Sequence, residues 1–151
     1  MIANSVKDTL AFGRRLAHFL EAGDVVALTG DLGSGKTTFT KGIAAGLKVS
    51  DPEYVNSPSF VLVKEYKGRL NLYHFDLYRL DRMDDMEYIG ISEYMDGDGV
   101  VVIEWANKLK GLLPSEYLEI CINIAGKNKR KLELKAHGEK YLNIIRGYIK
   151  Q

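Results

Sequence analysis

Apolar and polar positions follow two rhythms along this chain, and the changes between them predict its elements. Val6, Leu10, Gly13, Leu16, Ala17 and Leu20 recur at helical spacing behind Asn4 and Ser5. Asp8, three residues beyond Ser5, completes a capping-box pattern, so a first helix is expected that ends by Gly23. Residues 24–29, Asp-Val-Val-Ala-Leu-Thr, make a short apolar run of buried-strand length. A helical pattern returns over residues 38–47 and stops near Gly46; Asp51-Pro52 and Ser57-Pro58 then mark irregular chain. Residues 60–66 and 70–76 read as two antiparallel strands joined by Lys67-Gly68-Arg69. The stretch 77–98 turns polar and acidic, with a helix expected over 81–88, a short one at Ile91–Met95 and a turn at 96–99. Residues 99–105 hold Val100, Val101, Val102 and Ile103 in succession, the strongest strand pattern after 24–29. Residues 118–124 alternate as a half-buried strand, 132–136 return as its partner, and 139–150 close with a helical pattern.

An α/β fold follows, and the antiparallel pair makes its sheet mixed rather than all-parallel. A length of 151 residues with 46% hydrophobic and 27% charged residues fits one soluble domain over 1–151. The formal net charge of +1 excludes a strong global field, so any nucleic-acid contact must rest on a local patch or a partner. Lys127, Lys129, Arg130 and Lys131 form such a patch at a hairpin turn, read as a solvated tip, with a phosphate-backbone contact as the alternative. Cys121 is the single cysteine, which excludes an intrachain disulfide and a multi-cysteine zinc site. No apolar stretch approaches the roughly 20 residues that span a bilayer, and no signal pattern opens the chain; a cytoplasmic protein without membrane contact is expected.

The chemistry concentrates in residues 30–37, Gly-Asp-Leu-Gly-Ser-Gly-Lys-Thr, which match G-x-x-x-x-G-K-[ST] at every fixed position between an expected strand and helix. Glycines at 30, 33 and 35 let the backbone curl so that N–H groups converge on an anion, and the helix dipole adds to their pull. The nucleotide-contacting residues expected are Asp31, Leu32, Gly33, Ser34, Gly35, Lys36, Thr37 and Thr38, with Lys36 on the β and γ phosphates and Thr37 offering an oxygen to magnesium. Glu104 follows four branched residues as a Walker-B-like acid and would emerge beside the loop if the two strands are neighbours. Asp76 ends another strand on the usual ligand side of an open α/β sheet. Lys36, Asp76 and Glu104 are thus the catalytic candidates; which acid serves the metal and which the water stays open. Ser57 and Ser59 are candidates to sense a γ phosphate, or are turn residues satisfied locally. A guanine-reading N-K-x-D is lacking, since Asn107-Lys108-Leu109-Lys110 has no aspartate, which favours ATP. A small-molecule kinase built on the same loop is the alternative, with Arg69, Arg79 and Arg82 a thin supply for an arginine lid.

Four strings in order, GDLGSGKT at 30–37, SPSF at 57–60, HFDLYRL at 74–80 and VIEW at 102–105, resemble the TsaE (also YjeE) family of the bacterial tRNA threonylcarbamoyladenosine pathway, from the first helix to Trp105. The resemblance implies a P-loop NTPase-like three-layer sandwich, its central parallel sheet extended by antiparallel strands. It implies magnesium-dependent ATP hydrolysis that supports the TsaB and TsaD proteins, the TsaB-TsaD heterodimer that transfers a threonylcarbamoyl group to tRNA. Contact with tRNA would be indirect, through that complex. By motif Lys36 would hold phosphate, Thr37 and Glu104 would hold magnesium, and Asp76 would act near the γ phosphate. Trp105 is implicated beside the acid, or is a core or rim aromatic. Turnover without partners is expected to be slow, because no motif places an arginine as an intrinsic finger. Two departures stand out: Ser59, where threonine is familiar, keeps the hydroxyl, and Ala106, where proline is frequent, alters only the strand exit.

Overall fold

The apolar runs pair into one sheet in the computed structural model, which describes residues 1–58, 62–80, 90–109 and 111–150. Its strands are β1 (Ile2–Ala3), β2 (Val25–Thr29), β3 (Val63–Tyr66), β4 (Asn71–Asp76), β5 (Gly99–Glu104), β6 (Tyr117–Ile124) and β7 (Arg130–His137), in the order β1-β7-β6-β2-β5-β4-β3. Contacts of β2 with β5 and β6, and of β4 with β5, are parallel. The outer pairs β3 with β4, β7 with β6 and β1 with β7 are antiparallel, which gives the mixed sheet expected.

The helices are α1 (Val6–Leu16), α2 (Lys36–Gly46), α3 (Ile91–Met95) and α4 (Glu139–Ile149). One face of the sheet packs Val26, Leu28, Leu72, Val102 and Ile120 against Leu16, Phe39, Ile43, Tyr141 and Tyr148 of α1, α2 and α4. The other packs Val25, Ala27, Phe75, Val101 and Ile103 against Ile91 and Met95 of α3 and Ala106 and Leu109 beyond β5. Burial on both faces explains why β2 and β5 read as unbroken apolar runs rather than alternating ones. Gly13 and Gly42 let α1 and α2 touch: a Cβ at Gly13 would lie 2.3 Å from Phe39 O, and one at Gly42 2.3 Å from Leu10 O.

Local chemistry shifts several boundaries. Ser5 caps α1 by accepting the Asp8 N–H at 3.1 Å, but the Asp8 carboxylate returns to the N–H of Asn4, at 2.8 Å, rather than to that of Ser5. The regular helix stops at Leu16, and a 3-10 turn, Ala17–Phe19, completes the stretch expected to reach Leu20. Helix α2 starts at Lys36, two residues before its expected start, so the motif's Lys and Thr lie in its first turn. Strand β1 has no counterpart in the sequence pattern: two residues carry no periodicity, and its pairing with Arg130 and Lys131 is wholly tertiary. The helix expected at 81–88 and the start of the strand expected from 60 lie outside the described residues.

Candidate functional site

The carboxyl ends of β2, β4 and β5 lie side by side, because parallel pairing puts Leu28 opposite Glu104 and Glu104 opposite Asp76. The loop leaves β2 through Gly30, whose φ is 136° and where a Cβ would stand 2.2 Å from Ile122 O. It enters α2 through Gly35 at φ 105°. Both positions demand glycine, one for space and both for backbone angle. The Ser34 N–H closes the turn onto Asp31 O at 3.0 Å.

Lys36, only 4% exposed, donates to the carbonyls of Gly30 at 2.6 Å and Asp31 at 2.9 Å, and its ammonium lies 4.1 Å from the centre of the Trp105 ring. Burial pushes its pKa down, against the opposing pull of Glu104, Asp76 and Asp31. Glu104 is buried yet satisfied: Thr37 Oγ1 donates to its Oε2 at 3.0 Å, and His74 Nε2 lies 2.7 Å from its Oε1. His74 Nδ1 is buried without a hydrogen bond, which assigns the shared proton to Nε2 and makes that contact a donated bond. Thr40, one turn along α2, donates to Lys36 O at 3.0 Å and its hydroxyl lies 3.5 Å from Glu104 Oε1. Asp76 accepts the Ser57 hydroxyl and, at 2.9 Å, the Tyr78 N–H.

These groups border a cleft of about 670 Å³ lined by Gly33, Gly35, Lys36, Thr37, Thr38, Ser57, Asp76, Glu104 and Trp105, with Leu32 and Arg79 at its edge. The cleft thus gathers most of the residues expected from sequence. Ser34, within the loop, is fully buried, and the Asp31 side chain is exposed while its carbonyl serves Lys36. Trp105 leaves the strand in a left-handed conformation, φ 60°, which brings its ring 5.0 Å from that of Tyr78. Ser59 lies outside the described residues.

Three neighbours of the cleft are not among the expected site residues, although His74 opens the HFDLYRL string. His74 stands two residues before Asp76 on the same face of β4, and strand alternation alone would have pointed to it. Thr40 lies one helical turn beyond Thr37, a spacing that also signals a shared face. Arg130 belongs by sequence to the basic hairpin tip; it instead donates from Nε to Ser34 O at 2.8 Å and from Nη2 to Gly33 O at 3.2 Å, contacts for which no local pattern exists. The oxygen pair Thr37 Oγ1 and Glu104 Oε2 could hold a hard divalent ion that keeps waters and phosphate oxygens in its shell. Among the described residues no group of three or more His, Cys, Asp or Glu side chains forms a self-sufficient metal site.

A G-x-x-x-x-G-K-T loop between a central parallel strand and a helix, with an acid ending the neighbouring strand, defines a P-loop NTPase-like α/β domain. Its particular kind is set by comparison with known proteins. The chain belongs to the TsaE family: the family model described as Threonylcarbamoyl adenosine biosynthesis protein TsaE matches residues 3–132. It is 46% identical over 136 residues to the tRNA threonylcarbamoyladenosine biosynthesis protein TsaE of Bacillus subtilis (strain 168), covering 89% of this chain and 84% of that protein. To the protein of the same name from Treponema pallidum (strain Nichols) it is 40% identical over 131 residues, 87% of this chain and 96% of that one. The crystal structure of Bacillus subtilis YdiB superposes with a TM-score of 0.83 at 37% identity, over 99% of this chain and 93% of the other.

Proposed function

We propose that this chain is the ATP-binding and hydrolysing component of the tRNA threonylcarbamoyladenosine machinery, acting in support of a TsaB-TsaD transferase. The observation that carries the ATPase reading is the convergence of Lys36, Thr37, Asp76 and Glu104 on one cleft at the carboxyl edge of the sheet. The pathway is supported by the names of the relatives above. Lys36 would leave its carbonyl acceptors for the β and γ phosphates, and the α2 amino end would add its partial positive charge. Glu104, tied to Thr37, suits the metal; magnesium bound there would neutralise charge developing on the transferring phosphoryl group. Asp76, oriented by Ser57 and the Tyr78 amide, suits the positioning of water.

A cytoplasmic setting belongs to the same proposal; among the described residues no helix is long and apolar enough to cross a membrane. The test is ATPase rate alone and with TsaB and TsaD, together with threonylcarbamoylation of tRNA. Stimulated turnover and ATP-dependent modification are expected. No stimulation and no support of modification would overturn the assignment, and ATP consumption only with a small hydroxylated acceptor would make the chain a kinase.

A further inference from the structure

We infer that Arg130, the first residue of β7, is a positioning residue for the phosphate loop: it fixes two consecutive peptide planes, one closing the loop's turn and the next presenting the Gly35 amide to an anion. The inference deepens the nucleotide reading above and rests on it. One guanidinium joins two segments far apart in sequence. Nε and Nη2 take the carbonyls of Ser34 and Gly33, while Nη1 donates to Gly126 O at 3.1 Å and Lys129 O at 2.9 Å within its own hairpin. The planar fork of arginine holds all four carbonyls at once, two in the loop and two in the hairpin; a lysine ammonium, with three donors on one nitrogen, cannot.

The consequence lies in peptide geometry. A trans peptide points its C=O and the next N–H to opposite sides, and no cis bond occurs among the described residues. Drawing the Ser34 carbonyl outward to Arg130 therefore turns the Gly35 N–H inward. Holding the Gly33 carbonyl likewise turns the Ser34 N–H inward, where it closes the turn on Asp31 O. Gly33 at φ 75° and Gly35 at φ 105° have wide conformational freedom, so the loop's own backbone does not select this arrangement. An external donor on the carbonyl side selects it, and a preset nest of amides binds an anion without first paying to order itself. The guanidinium is itself held at its root, since Arg130 pairs with Ala3 of β1. Lys131, its neighbour, shows the contrast: it pairs with Glu133 at 2.7 Å on the surface.

The test compares the parent, Arg130→Ala and Arg130→Lys as full chains, reading magnesium-ADP affinity by calorimetry, melting temperature, and the amide dynamics of Ser34 and Gly35 by NMR without nucleotide. Arg130→Ala is expected to weaken ADP binding about 10-fold, with lysine recovering less than half of that loss. Millimolar guanidinium should restore affinity to Arg130→Ala and add none to the parent, a response that a general loss of folding would not give. The Ser34 and Gly35 amides should become more mobile in Arg130→Ala. Parent-like affinity in Arg130→Ala overturns the inference, as does full rescue by lysine. A parent that binds neither ADP nor ATP would overturn the nucleotide reading instead, and the clamp is then judged by the amides alone: greater mobility supports it, and unchanged mobility overturns it.

Discussion

The two ends of β2 bury charge in opposite ways. At the amino end, Asp24 is fully buried and answered from within the fold: Oδ2 accepts the Glu21 N–H at 2.7 Å, and Oδ1 pairs with Lys140 Nζ at 2.7 Å. Beside it the Tyr141 hydroxyl accepts the Val25 N–H at 2.9 Å. Burial works against the Lys140 charge, but the bond to Asp24 and the nearby Glu21 outweigh it, and the pKa rises. At the carboxyl end the balance reverses. Burial outweighs the pull of Glu104, Asp76 and Asp31, so the pKa of Lys36 falls, and an open cleft adjoins it. A buried carboxylate whose countercharge comes from the fold is a structural element; a buried cation that the fold leaves under-compensated at a cleft is poised for an incoming anion. The flanking segments make the difference: α4 seals the amino end, while the loop and strand ends leave the other open.

The strongest way to break this contrast is Glu104→Gln, which keeps shape and removes charge. ATP turnover should fall about 100-fold, while melting temperature and nucleotide affinity stay near the parent's; undiminished turnover would deny the carboxyl end the catalytic role proposed for it. Asp24→Asn is the reciprocal experiment. It should cost about 2 kcal/mol in urea denaturation and leave turnover intact, and parent-like stability would mark the Asp24 to Lys140 pair as incidental.

His74→Ala sharpens the picture within the site. By freeing Glu104 Oε1 it should lower turnover about 10-fold with little change in nucleotide affinity, and His74→Gln, whose amide reaches about as far as Nε2, should restore most of it. Equal losses in both variants would make His74 a packing residue.

The smallest effect is alkaline. Burial holds the Tyr141 pKa far above its ordinary value of 10.0, so the folded chain keeps a proton that the unfolded chain loses. Its contribution is therefore complete below pH 10.0 and is lost as pH rises towards the folded value. Tyr141→Phe should cost about 1 kcal/mol at neutral pH and flatten the fall in stability above pH 10.0; an unchanged alkaline slope would remove Tyr141 from the account.

Much of this was legible in the linear chain. The glycine spacing of residues 30–37, the unbroken apolar runs of β2 and β5, and the acids closing β4 and β5 declared a phosphate loop and two carboxylates at strand ends before any strand order was known. These features are local, and the repeats of 2.0 and 3.6 residues that carry them are properties of the backbone itself. The match over residues 3–132 extends the family resemblance past Trp105, into β7, where the individual strings had carried no signal. Tertiary structure alone decided which strands lie side by side, and with them the meeting of His74 with Glu104 across 30 positions and of Arg130 with Ser34 across 96. It also decided that Asp24 is sealed while Glu104 faces a cleft, although each is a carboxylate bordering an apolar run. A residue's local pattern states which way it points; what it meets there depends on the packing of the whole sheet, and no window of sequence contains that.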